Sequence, residues 1–262
     1  MRTKLLIISC LILCCESLAG SAVNPNPNES YISDLTRDEI ARSTSWSPSE
    51  PLPLSFAEAV SAARSKLGTL TDDAKKWFVY KITLWQPLML PDRHWCYGIT
   101  LCIPTKIQKV ERSYAVSGHA NFEVTMNGKV GKLRKVRNVV PPEDRRESVA
   151  ELPFENSWLF GNNHTTTVPR KDVLKDPDWN PSLPLPISID KAMALARKEL
   201  AQQVKNAAAW EITSIELQAL PDRRQKWFFV LSFHLPTPSD SGGSTSFVLL
   251  VTFDGKVGPV TP

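Results

Sequence analysis

The apolar positions of this chain follow two periodicities, one after the other, and the sequence runs through that succession twice. Phe56, Ala59, Val60, Ala63 and Leu67 recur at helical spacing, as do Ile189, Ala192, Met193, Ala196, Leu200 and Val204. Each set forms one apolar stripe on an amphipathic helix. Ser55 precedes the first helix with Glu58 three residues on, the spacing of a capping box, and Gly68 follows as a stop. Ser188 precedes the second, but Lys191 takes the box position, so only half of that cap is expected. Asp190 in its first turn still suits the helix dipole.

Downstream of each helix the period becomes two. Trp77 to Trp85 and Trp210 to Leu217 are rich in aromatic and β-branched residues and predict strands. Trp95, Tyr97, Ile99, Leu101 and Ile103 then alternate with Cys96, Gly98, Thr100 and Cys102. Trp227, Phe229, Leu231, Phe233 and Leu235 alternate in the same way with Phe228, Val230, Ser232 and His234. Such alternation places one sheet face on a core. Leu90-Pro91-Asp92-Arg93 and Leu220-Pro221-Asp222-Arg223 mark the reversals between these strands. A third strand, Asn121 to Met126 or Ser246 to Phe253, ends in Asn127-Gly128 or Asp254-Gly255, dipeptides that favour tight turns with positive φ. A short terminal strand, Lys129 to Val136 or Lys256 to Val260, completes each unit.

Four blocks recur in one order at offsets of 133, 130, 132 and 127 residues, as small insertions in turns would produce. The expectation is an α+β fold of tandem duplicated domains over residues 51–137 and 183–262. Each is one helix packed on an antiparallel three- to four-stranded sheet. Residues 138–182, with Pro141-Pro142, Pro153, Pro169, Pro177 and Pro181, are expected to form a proline-rich connector. It is too long for a bare link, and Phe154, Trp158, Leu159, Phe160 and Trp179 imply that parts of it pack onto a repeat. Residues 20–50 have linker composition and are expected to be a mostly disordered leader. Arg2 and Lys4 ahead of an apolar run from Leu5 to Cys15, then Ser17-Leu18-Ala19, have the pattern of a signal peptide over residues 1–19. That implies export to a periplasmic or extracellular location. Ile7-Ile8-Ser9-Cys10 resembles a lipoprotein cleavage box, but it would leave too short an apolar region, so lipidation is not expected.

The alanine-rich helical stripe, the three-stranded meander and the closing Asn/Asp-Gly-Lys-Val turn resemble the PepSY-type domain of exported bacterial proteins. The helix-on-sheet arrangement is similar to the cystatin-like group. The resemblance covers Leu52 to Val136 and Leu183 to Val260, with Met126 and Phe253 standing where the family turn carries polar residues. It implies a non-catalytic module that restrains proteases or binds peptides, and it transfers no catalytic residue.

Composition changes little in this picture. A hydrophobic share of 42% and a charged share of 22% are ordinary for a globular chain. The net charge is +4, and the signal segment holds Arg2, Lys4 and Glu16, so the remainder carries +3. That is too little to imply nucleic acid. Cys96 and Cys102 lie six residues apart on one strand, about 20 Å by strand rise, which a disulfide cannot span. Two buried thiols are expected.

Four histidines offer few general bases, none has the helical i, i+4 spacing of a zinc site, and no Cys-x-x-Cys occurs. No catalytic, metal or cofactor residue is assigned. Asp92-Arg93-His94 is explained as a turn, since Asp222-Arg223 recurs without the histidine. Trp77, Trp95, Trp210 and Trp227 fall on repeated strand positions and are expected in the core. Trp46, Trp85, Trp158 and Trp179 are then candidates for an aromatic contact surface. The basic run with Lys132, Arg134 and Lys135 is a further candidate contact, although lysines on an edge strand also serve to deter aggregation. The expected function is an exported, non-enzymatic binding or inhibitory protein for a peptide or protein. The alternatives are a structural component of the cell envelope or an enzyme of unrecognised type.

Overall fold

Ser55 and Glu58 close the helix that the apolar stripe predicts. The serine oxygen accepts the Glu58 amide and the Glu58 carboxylate accepts the Ser55 amide at 2.8 Å. This helix, Phe56–Gly68, and its counterpart Ile189–Gln203, capped by Ser188 alone, pack on one face of a large sheet. The computed structural model describes residues 29–87, 94–103, 107–110, 113–116, 119–137, 156–160, 164–220, 223–235, 246–258 and 260–261. The segment expected to be a signal peptide and the Leu90-to-Arg93 and Pro221-Asp222 reversals lie outside these residues.

In chain order the strands are β1 (Glu29–Asp34), β2 (Phe78–Trp85), β3 (Cys96–Cys102), β4 (Ile107–Val110), β5 (Ser113–Val116), β6 (His119–Thr125), β7 (Lys132–Arg137), β8 (Asn156–Phe160), β9 (His164–Val168), β10 (Glu211–Leu220), β11 (Arg223–His234), β12 (Ser246–Thr252) and β13 (Val260–Thr261). The helices are α1 (Arg37–Ala41), α2 (Phe56–Gly68), α3 (Arg170–Val173) and α4 (Ile189–Gln203). The fold is α+β. Its main sheet is mixed and eight-stranded in the order β12-β11-β10-β2-β3-β6-β1-β7, with only β1 and β6 parallel. A β13-β9-β8 sheet, packed against β12, and a β4-β5 hairpin are separate sheets.

The strands of both halves join in this one sheet at an antiparallel seam between β2 and β10. Ile82 pairs there with Leu217, Thr83 with Glu216 and Leu84 with Ile215. Helix α2 packs on β3 and β6, and α4 packs on β11 and β12. The core between helices and sheet is continuous, from Phe122 and Ile99 through Leu84 and Ile215 to Leu231 and Leu249. A second cluster forms on the opposite face, where Val168 of β9 and Val173 of α3 cover Leu220, Phe228, Val230, Val248 and Leu250.

Two expectations require correction. Residues 29–50 are not a disordered leader, because β1 inserts between β6 and β7, α1 carries a Thr36–Glu39 capping box and Trp46 is buried. The stretch before α4 is likewise more than a connector. It supplies β8, β9 and α3, and Trp179 packs edge-on against Trp227 at 5.1 Å. Burial of large aromatic area outweighs the polar and proline-rich composition that suggested linkers. The terminal strands also pair differently from a simple meander. After the Gly128 turn, β7 pairs with β1, and after the Gly255 turn β13 pairs with β9.

Candidate functional site

Alternation along β2, β3 and β6 sends Val79, Ile82, Leu84, Tyr97, Ile99, Leu101, Phe122 and Val124 into the helix-side core. The residues between them therefore form the other face. Lys81, Thr83 and Trp85 of β2, Gly98 and Thr100 of β3, Asn121 and Glu123 of β6 and Glu216 of β10 are all partly exposed there. Lys81 pairs with Glu216 at 3.2 Å, and the Thr83 hydroxyl reaches the same carboxylate at 3.5 Å. The Thr100 hydroxyl donates to Asn121 Oδ1 at 2.8 Å. A Cβ on Gly98 would stand 3.8 Å from Trp85 Nε1, so the missing side chain leaves the ground on which the indole lies. Glu123 accepts the Leu35 amide at 2.6 Å, and burial raises its carboxyl above the usual range. The result is a polar surface that carries the Trp85 indole and a charged pair.

The corresponding strands of the second half are built otherwise. Val230 stands at the β11 position that Gly98 holds in β3, and Val248 and Leu250 stand where β6 has Asn121 and Glu123. These three residues lie under β9 and α3. One half of this sheet face is thus closed by apolar packing and the other presents hydrogen-bonding groups.

Of the contact residues expected from sequence, Trp85 lies on that polar face, at the end of β2 and opposite Cys96 of β3. Trp179 does not belong to a contact surface. It is 2% exposed, meets Trp227, Phe253 and Phe56 edge-on and donates its indole N–H to Leu183 O at 3.0 Å. Trp46 is buried in the same manner against Trp95 at 5.4 Å, with its N–H on Glu50 O at 2.9 Å. Trp158 falls in β8 in register with Thr166, and its side chain lies outside the described residues. Lys132, Arg134 and Lys135 are exposed on β7, with Arg134 Nε 2.6 Å from Asp34. The missed residues are Lys81 and Glu216, since a strand sequence carries no sign of which charges meet across a seam.

The titratable groups are dispersed. Cross-strand register sets Glu211, His234 and Ser246 abreast on β10, β11 and β12, with both outer members exposed to water. Burial lowers the His119 imidazole. It also raises the Cys96 thiol and pushes Cys102 up to about 12. Both cysteines are free and buried. No group of three His, Cys, Asp or Glu side chains suited to a metal occurs among the described residues. None of the described helices is long and apolar enough to cross a membrane.

No family model matches the chain, and no curated protein does. Among solved structures, it is similar to a candidate lipoprotein from Clostridium difficile 630. The match has 10% identity and a TM-score of 0.39, and covers 82% of this chain and 96% of that one. It is also similar to an acyl-CoA thioesterase II from Mycobacterium marinum, with 10% identity and a TM-score of 0.22, over 78% of this chain and 85% of that one. At 10% identity, neither likeness extends to an activity.

Proposed function

We propose that this is an exported, non-catalytic binding or inhibitory protein that recognises a peptide or protein partner. The partner docks on the polar face of β2, β3, β6 and β10, on a scaffold of two copies of one unit related to PepSY-like or cystatin-like domains. The copies run further than the helix and meander, from β1 to β7 and from β9 to β13.

Matched contacts support the two-copy reading. Arg64 donates to Trp77 O at 3.0 Å and Arg197 to Trp210 O at 3.2 Å, each thirteen residues on. Thr125 and Thr252 hold their turns through the same bonds, to Asn127 and Lys129 or to Asp254 and Lys256. Gly128 and Gly255 have φ of 85° and 87°, a conformation that favours glycine. Lys129 pairs with Glu39 at 2.8 Å, and Lys256 with Asp172 at 3.5 Å. The contacts held in common explain the scaffold, and function resides in sites added to a scaffold.

The observation that carries the reading is therefore the difference between the copies, with Gly98, Asn121 and Glu123 where the other half has Val230, Val248 and Leu250. Selection for stability alone favours the apolar version of that face. The test is the mature protein on a peptide array and a protease panel, beside Trp85→Ala and Lys81→Ala variants. A partner lost or weakened at least tenfold by both substitutions supports the site. Silence on array and panel overturns the function, and a partner indifferent to both substitutions overturns the site.

A further inference from the structure

A groove of about 680 Å³ runs along α2 on the helix side of the sheet, away from the polar face, and does not depend on its role. Its volume falls in the range of small-molecule sites, about 300 to 1,000 Å³. One wall is helix α2, the floor includes Val60 and Val79, and the far wall is the 3-10 turn with Thr71 and Lys75. Asn180 to Ser182, from the segment preceding α4, close one side, so both halves of the chain contribute.

The helical wall is unusually bare. Ala57, Ser61, Ser65 and Gly68 line up along it, and Arg64 is the one long polar side chain that α2 adds to the lining. The same positions on α4 hold Asp190, Ala194, Lys198 and Ala201, two of them charged. Among the described residues the charge of the groove is one-sided, since Arg64 and Lys75 line it and no described acidic side chain does.

Arg64 also differs from its counterpart. Both arginines hold a tryptophan carbonyl, but Arg197 is exposed and lies over the Phe233 ring at 5.6 Å. Arg64 is partly buried, and its Nε is buried without a hydrogen-bond partner. Burial pulls its guanidinium below the usual range. A guanidinium presents its donors as a planar fork, and a carboxylate has the matching two-oxygen geometry.

We propose that this groove binds a small organic carboxylate, with Arg64 pairing the carboxylate and Lys75 adding positive charge at the rim. Ser61, Ser65 and Thr71 supply hydroxyls along the ligand's length. A modest turn of the guanidinium edge toward the groove gives the buried Nε–H the acceptor it lacks.

The test uses the full mature chain and two-dimensional amide NMR. Benzoate, succinate and glutarate are titrated beside their primary amides and beside inorganic phosphate. The expected result is saturable shifts of the Ser61, Ser65 and Gly68 amides with at least one carboxylate at about 1 mM or below. The matched amide should bind at least tenfold more weakly. Ser65→Leu, on the exposed helix surface, should abolish the shifts while leaving the melting temperature in place. Arg64→Lys should weaken them at least tenfold. No saturable shift with any carboxylate overturns the proposal, as does equal binding of the amide. Stronger binding of phosphate overturns the ligand class.

Discussion

Thr83 and Glu216 face each other in the middle of the β2–β10 seam, with the threonine hydroxyl 3.5 Å from the carboxylate. To one side Ile82 meets Leu217, and to the other Leu84 meets Ile215. Each strand therefore offers the other the same apolar pair in opposite order, the self-complementary arrangement of a two-fold interface. Its strength should reside in those apolar pairs. Leu84→Ala is expected to cost about 2 to 5 kcal/mol, whereas Glu216→Ala, which breaks a partly exposed ion pair, should cost about 0 to 1 kcal/mol. Urea unfolding of both variants checks this, and equal losses would contradict it.

The two tryptophans that the sequence left alike should separate cleanly by experiment. Trp179→Ala removes a buried ring from a cluster of three edge-on partners and should destabilise the fold by about 3 to 5 kcal/mol. Trp85→Ala should change stability much less and act instead on partner binding. Denaturant midpoints and binding assays on the same preparations distinguish the two.

Gly131 is required by a close approach of backbone rather than by its own conformation. A Cβ there would come within 2.6 Å of the Asp34 carbonyl and 2.9 Å of Leu35 N. Neither contact is the end of a flexible side chain, so Gly131→Ala should push β1 away from β7. The expected cost is about 1 to 3 kcal/mol, with faster amide exchange in Tyr31 to Asp34. Unchanged exchange in β1 would refute it.

Cys96 and Cys102 should be silent toward thiol reagents in the native state. Both are buried, and Cys102 is pushed up to about 12, so almost no thiolate forms at neutral pH. Labelling of both should appear only as the protein unfolds, with a rate that tracks denaturant. Rapid native labelling of either would place it at the surface.

Glu39 gives acid sensitivity a defined source. The Lys129 ammonium, and then the Thr36 hydrogen bonds, bring its carboxyl down to about 2. A lowered folded-state value means that its stabilising contribution is whole above its ordinary value of 4.5 and is lost as pH falls toward about 2. Lys129→Met should flatten melting temperature against pH in that window and leave the slope near neutrality unchanged. An unaltered acid slope would exclude the pair as its cause.

How much of this was legible depends on how local each determinant is. The helix caps at Ser55 and Ser188, the alternation of β3 and β11 and the glycine turns are encoded within a few residues, and the structure has them where the pattern places them. The insertion of β1 was not legible, because its parallel partner β6 lies some ninety residues away and parallel pairing leaves no hairpin signal. Two signals were nonetheless present in the segment taken for a leader. Thr36 with Glu39 has the capping-box spacing, and Trp46 stands 133 residues before Trp179, the offset already seen between α2 and α4. The polar face was half legible. Trp85 could be singled out, but the Lys81–Glu216 pair depends on a seam that no local pattern specifies.

The seam has a final consequence for how the molecule behaves on dilution. Two separate chains joined along such an edge would fall apart as their concentration dropped below the dissociation constant. Here both strands belong to one polypeptide, so the tether fixes their effective concentration wherever the protein travels. At any dilution, the chain keeps its central edge covered without a partner copy.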